Sequence, residues 1–180
     1  MEEIIRWGVV LGASLVAAVM DVRTRRIPNR LCGPLFLTGL IWSAWQNGAY
    51  GFAEAFGSAA LMAFPFVLLF IFAGGGAGDA KLTGALGAWL GIKEAGIALA
   101  CICIAGALLA ILVALYKGRL KIVLARLVLP VWDLLAGIFG GANMKQAVKS
   151  ARVTDGEKLT VPYGVAIFAG VCVAAGIMLL

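Results

Sequence analysis

Nine acidic residues and no histidine set the terms for any chemistry in this chain of 180 residues. Without histidine there is no Ser-His-Asp or Cys-His nucleophilic system and no H-E-x-x-H metal site. The four cysteines (Cys32, Cys101, Cys103 and Cys172) contain no C-x-x-C spacing, so neither a zinc ribbon nor a redox pair is indicated. Their expected role is as small packing residues. Carboxylates, lysine and backbone remain. Asp21 and Asp79 differ from the other acids because each closes a long apolar run. Two carboxylates at close range share one proton, since repulsion and desolvation push their titrations apart. The ionised partner can then take a proton from water, while the neutral partner hydrogen-bonds a carbonyl oxygen and steadies a tetrahedral intermediate. That is hydrolytic chemistry without histidine, serine or metal.

The remaining acids have plainer positions. Glu2, Glu3, Glu54 and Glu94 flank apolar runs, Asp155 and Glu157 lie in a charged loop, and Asp133 follows Arg126 at a spacing that lets the two pair on one helix face. Asp79 has a particular setting, the run Gly74-Gly75-Gly76-Ala77-Gly78 just before it. Glycine permits positive φ and close backbone approach, so this run breaks a helix beside the acid. A peptide must be extended to be cut, and an unwound glycine stretch leaves room for strand-like pairing with it. A tight turn between two helices, with Asp79 capping the second, satisfies the same spacing.

The elements that must position these acids are membrane helices. The chain is 63% hydrophobic with a mean hydropathy of +1.02, well above a soluble domain. The expected fold is all-α: one polytopic domain over residues 1–180, too short to leave much for a separate soluble module. Apolar runs cover about 4–20, 31–45, 55–73, 82–91, 95–116 and 161–180, giving six expected spans. The fourth is short and glycine-rich and needs shelter from its neighbours. Acidic residues precede the first run and arginines follow it, the reverse of a signal peptide, so it reads as a retained span. With 21–30 cytoplasmic, six alternating spans put every basic residue except Arg6 and Lys93 on the cytoplasmic side and both termini outside. Residues 121–141 are interrupted by Arg126, Pro130 and Asp133 and are expected to form an interfacial helix on the cytoplasmic face. Pro65 predicts a kink. Gly84, Gly87, Gly106 and Gly170 allow close helix approach, and Trp42, Trp45 and Tyr50 suggest an outer aromatic belt. Asp21 and Asp79 then fall on one side at similar depth, where an ionisable group is costly and points to function.

Three motifs carry a resemblance. Asp21-Val-Arg-Thr-Arg-Arg-Ile-Pro-Asn29, Gly76-Ala77-Gly78-Asp79 continuing through Lys81 and Leu82, and Pro162-Tyr163-Gly164 occur in this order. They resemble the first aspartate motif, the G-x-G-D motif and the final-helix signature of prepilin peptidases. The resemblance spans nearly the whole chain. It implies an integral membrane aspartyl protease of prokaryotic inner membranes, with Asp21 and Asp79 as its catalytic pair. Its implied substrates are type IV prepilin-like proteins, cut at the cytoplasmic face between a short basic leader and an apolar segment, typically after a glycine. The chain lacks the paired C-x-x-C insertion of the larger members and resembles the short, peptidase-only branch associated with tight-adherence (Flp-type) pili. On that resemblance no N-methyltransferase activity, zinc or S-adenosylmethionine is expected.

Supporting residues are weighed individually. Gly76 and Gly78 shape the break before Asp79. Lys81 either tunes a nearby carboxylate or snorkels to the interface. Pro28 and Asn29 start the second helix. Pro162, Tyr163 and Gly164 either line the active-site cleft or begin the last helix with an interfacial tyrosine. Two other function classes use the same residues differently. A transporter would bind a cation or relay protons through the two acids, and a non-catalytic subunit of a pilus or secretion assembly would tolerate their neutral substitution.

Overall fold

A computed structural model describes residues 2–25, 27–73, 76–116 and 163–179. These form four helices, α1 (Glu2–Thr24), α2 (Asn29–Ala73), α3 (Ala77–Tyr116) and α4 (Tyr163–Leu179). The interfacial helix expected over 121–141 lies outside the described residues. Three of the helices are long and apolar enough to cross a membrane, and α4 is apolar but only 17 residues long.

The two longest helices are bent. A straight helix of the 45 residues in α2 would run about 68 Å, more than twice the hydrocarbon thickness of a bilayer. Its backbone leaves helical geometry at Asn47 and at Gly48 (φ 60°, ψ −141°). The second of these conformations is accessible to glycine and strained for other residues. The helix continues through Pro34 and Pro65, and the break falls at Gly48, between the second and third apolar runs. Gly91 (φ 71°, ψ 166°) breaks α3 in the same way, at the end of the fourth apolar run.

Contacts fix the direction of the resulting arms. The first arm of α2 runs alongside the first arm of α3 in the same sense: Lys81 meets Asn29, and Trp89 Nε1 donates to Leu35 O at 2.9 Å. The second arm runs the opposite way, Ser58 Oγ donating to Gly87 O at 2.7 Å and Glu54 Oε1 accepting from Ile92 N–H at 3.4 Å. α2 is therefore a hairpin clasping the first arm of α3. Helix α1 is antiparallel to that arm, with Arg6 beside Leu90 and Glu94 at one end and Ile27 against Gly78 at the other. Helix α4 is antiparallel to the second arm of α3 (Gly106 against Tyr163, Ile102 against Gly170) and touches α1 through Gly164 and Asp21.

Burial follows from this arrangement. Every residue from 82 to 90 is buried, so the short fourth run is the centre of the bundle, sheltered on all sides. Around it Trp7, Met62, Ile102 and Ile167 lose essentially all exposure. Large apolar side chains also cover the outside, among them Leu15, Leu37, Phe64, Leu108 and Ile177, which suits a bilayer better than water. Trp45 and Tyr50 are exposed near the α2 bend, whereas Trp42 is half-buried and stacks on Trp89 at 6.0 Å. Cys32 is buried, while Cys103 and Cys172 face outward, so packing explains the first better than the other two.

Candidate active site

Both aspartates come to one end of the bundle through different means. Asp21 lies in the last turn of α1, which Arg25 then closes: Arg25 adopts φ 52° and its N–H donates to Asp21 O at 2.8 Å. That left-handed turn ends a helix by satisfying one of its last carbonyls. Ile27 and Pro28 lead straight into α2. Asp79 lies in the first turn of α3, its N–H donating to Gly76 O at 3.2 Å. Ile27 bridges the two motifs by packing against Gly78, where an added Cβ would stand 3.2 Å from Ile27 Cβ.

The carboxylates are held differently. Asp21 is 9% exposed, and its Oδ2 accepts a buried 2.8 Å hydrogen bond from the backbone N–H of Gly164 at the start of α4. Asp79 is partly buried and lies within reach of the Asp21 charge. Its Oδ2 sits close over Gly76, 2.7 Å from where a Cβ would stand. A side chain at position 76 would meet the end of the Asp79 side chain and turn its carboxylate aside.

The supporting residues surround this pair. Tyr163 wedges its ring edge-on against Phe66, centroids 5.7 Å apart, and its hydroxyl rests on Gly106. Gly164 packs so tightly on α1 that a Cβ would lie 2.9 Å from Asp21 Cβ and 3.3 Å from Ala18 Cα. Lys81 is exposed and donates to Asn29 Oδ1 at 3.0 Å. Pro162 lies outside the described residues. Sequence reasoning placed Asn29 as a helix start and did not foresee its bond to Lys81; a polar side chain directly after Ile-Pro in the first motif was the available signal. It also missed Phe66, for which an apolar run offers none. An open, mainly apolar cleft of about 530 Å³ adjoins the Asn29–Lys81 pair, with Ala59, Ala63 and Gly84 along its walls. Among the described residues no cluster of three metal-ligating side chains occurs.

Chemically, this end of the bundle offers two carboxylates from different helices, one anchored by a backbone amide, beside a helix start preceded by glycine. Comparison with known proteins gives the family. Residues 8–114, which contain both aspartates, match the model of the type IV leader peptidase family. A prepilin leader peptidase/N-methyltransferase of Burkholderia pseudomallei is 34% identical over 115 residues, covering 61% of this chain and 37% of that protein. The protein of the same name from Neisseria gonorrhoeae is 32% identical over 119 residues, 62% of this chain and 42% of its own length. The chain thus spans well under half the length of these curated relatives. No solved structure matches it.

Proposed function

The chain belongs to the type IV leader peptidase family, and we propose that it is an aspartyl endopeptidase that removes basic leaders from type IV prepilin-like membrane proteins. The convergence of Asp21 and Asp79 on one end of the bundle supports this reading most directly. In the proposed step one carboxylate takes a proton from water as the water oxygen bonds to the scissile carbonyl carbon. The other, protonated, carboxyl donates to the carbonyl oxygen. Return of a proton to the leaving nitrogen breaks the C–N bond and releases an acid and an amine. The N-methyltransferase in the relatives' name is a property of those proteins.

The proposed setting is a prokaryotic inner membrane crossed six times, by α1, two arms each of α2 and α3, and α4. The breaks at Gly48 and Gly91 and the alternating direction of the arms support this count. Both termini are then exterior, and the dyad, with arginines following Asp21, faces the cytoplasm. Within the type IV prepilin-like class, Flp-type prepilins are the proposed substrates.

The test uses purified protein in lipid with a substrate made of a basic leader, a glycine and an apolar helix. Mass spectrometry locates any cut, with Asp79→Asn run alongside. Cleavage after the glycine by wild type alone supports the proposal. Equal cleavage by the variant removes the dyad, and no cleavage of any such substrate removes the peptidase.

A further inference from the structure

The two aspartates are not equivalent in this fold, and the difference lies in α4. Gly164 is the second residue of that 17-residue helix. The first four N–H groups of a helix have no intrahelical partner. The Gly164 N–H spends its free donor on Asp21 Oδ2, 2.8 Å away and buried, linking positions 143 residues apart. An ionised carboxylate is the better acceptor for such a bond. No corresponding donor to Asp79 is found among the described residues. Asp79 instead lies at a helix start of its own, with its carboxylate against Gly76.

We propose that Gly164 is a positioning residue that fixes Asp21 as the ionised, water-activating carboxylate and so leaves the shared proton on Asp79. This assignment rests on the peptidase reading above and divides the labour within it. It also explains why position 164 must be glycine. Only a residue without a side chain brings its amide this close to Asp21, since a methyl would press on Asp21 Cβ and on the α1 backbone at Ala18. Tyr163 supports the same placement by seating the start of α4 between Phe66 and Gly106.

Replacing the Tyr163–Gly164 amide by an ester deletes this N–H and adds no atoms to the side chain. The full chain can be assembled by ligating a synthetic C-terminal segment. Because that N–H has no helical partner, the ester removes the bond to Asp21 with little effect on α4 itself. Loss of a hydrogen bond to a charged group predicts a fall in kcat of about 10- to 100-fold, with KM unchanged. An ester at Val165, whose first-turn N–H does not reach Asp21, serves as the control and should cleave like wild type. Gly164→Ala keeps the N–H but displaces Asp21, so its kcat should also fall, with KM again unchanged. Wild-type cleavage with an equally active 164 ester overturns the positioning role, as does an equal loss from both esters. A wild-type chain that cuts nothing overturns the peptidase reading, and the role assignment with it.

Discussion

Lys81 Nζ donates a 3.0 Å hydrogen bond to Asn29 Oδ1 and ties the two aspartate motifs together across 52 residues of sequence. The pair is exposed, so its net worth is small, roughly 0.5–1.5 kcal/mol. Its position gives it leverage: Asn29 follows the turn that carries Asp21, and Lys81 is two residues past Asp79. Asn29→Ala and Lys81→Met are each expected to lower kcat/KM by less than about 10-fold, and the double variant should do no worse than either alone. A double-mutant cycle on purified protein checks this. Additive losses would mean the bond plays no part in setting the dyad.

Removing either carboxylate has larger consequences. In the proposed mechanism Asp21→Asn and Asp79→Asn each delete one half of the proton traffic, which general acid–base catalysis values at about 10²- to 10⁴-fold. Both variants should insert and fold normally while cleaving at background rates, and wild-type cleavage should persist in chelator. Rates by mass spectrometry, alongside thermal unfolding in detergent, separate catalysis from folding. Chelator-sensitive cleavage would show that the two carboxylates are not sufficient.

The joint between α3 and α4 depends on Gly170. A Cβ there would stand 2.5 Å from Ile102 Cα and 2.6 Å from Ile102 N, both rigid backbone atoms. Gly170→Ala therefore has to push α4 away from α3, and overpacking of this kind costs about 1–3 kcal/mol. Gly176, six residues on in the same helix, has nothing within 4 Å of its Cβ position, so Gly176→Ala should be neutral or slightly stabilising. Thermal unfolding of the two variants makes the comparison. A Gly170→Ala protein as stable as wild type would contradict the tight joint.

What sequence could reveal here depended on how local the signal was. The apolar runs marked where helices lie, and the end of the fourth run at Gly91 coincides with a backbone break. Asp21, Asp79 and the glycines around Asp79 were legible because each changes the chain locally: a charge ending an apolar run, or a backbone with no side chain. The hairpin turn at Gly48 likewise falls in the gap between the second and third apolar runs. Trp42 looked like its neighbour Trp45, yet one stacks on Trp89 and the other is exposed. That distinction depends on which face of α2 meets α3, a fact of tertiary packing. The bond from Gly164 to Asp21 was out of reach for the same reason, because nothing local tells an amide which carboxylate it will meet 143 residues away.

Topology offers a prediction independent of chemistry. With six passes, a reporter fused after Leu180 should be active on the exterior, and one inserted near Lys145 should be cytoplasmic. An odd number of crossings between these points is what both signals together require. A cytoplasmic signal after Leu180 would remove α4 as a full span, which at 17 residues lies at the lower limit for a crossing.

The end of the bundle opposite the dyad carries its own electrostatic clasp. Arg6 Nη2 lies 3.1 Å from Glu94 Oε1, and Arg6 also reaches Leu90 O at 3.5 Å, joining α1 to α3 at the Gly91 break. Glu94 Oε2 is buried without a hydrogen-bond partner, so Arg6 supplies the charge compensation that makes this carboxylate tolerable in apolar surroundings. Breaking one side of such a pair is worse than removing both. Arg6→Ala should therefore lower the unfolding temperature more than the double variant Arg6→Ala/Glu94→Gln, in which the stranded charge is gone. Because the clasp lies at the far end from Asp21 and Asp79, the folded fraction of each variant should cleave substrate at the wild-type rate. Unfolding temperatures at low and high salt, with specific activity per folded molecule, test both halves of this. If Arg6→Ala and the double variant unfold together, Glu94 is compensated by something other than Arg6. If specific activity falls with Arg6→Ala, the two ends of the bundle are mechanically coupled through α1, whose last turn carries Asp21.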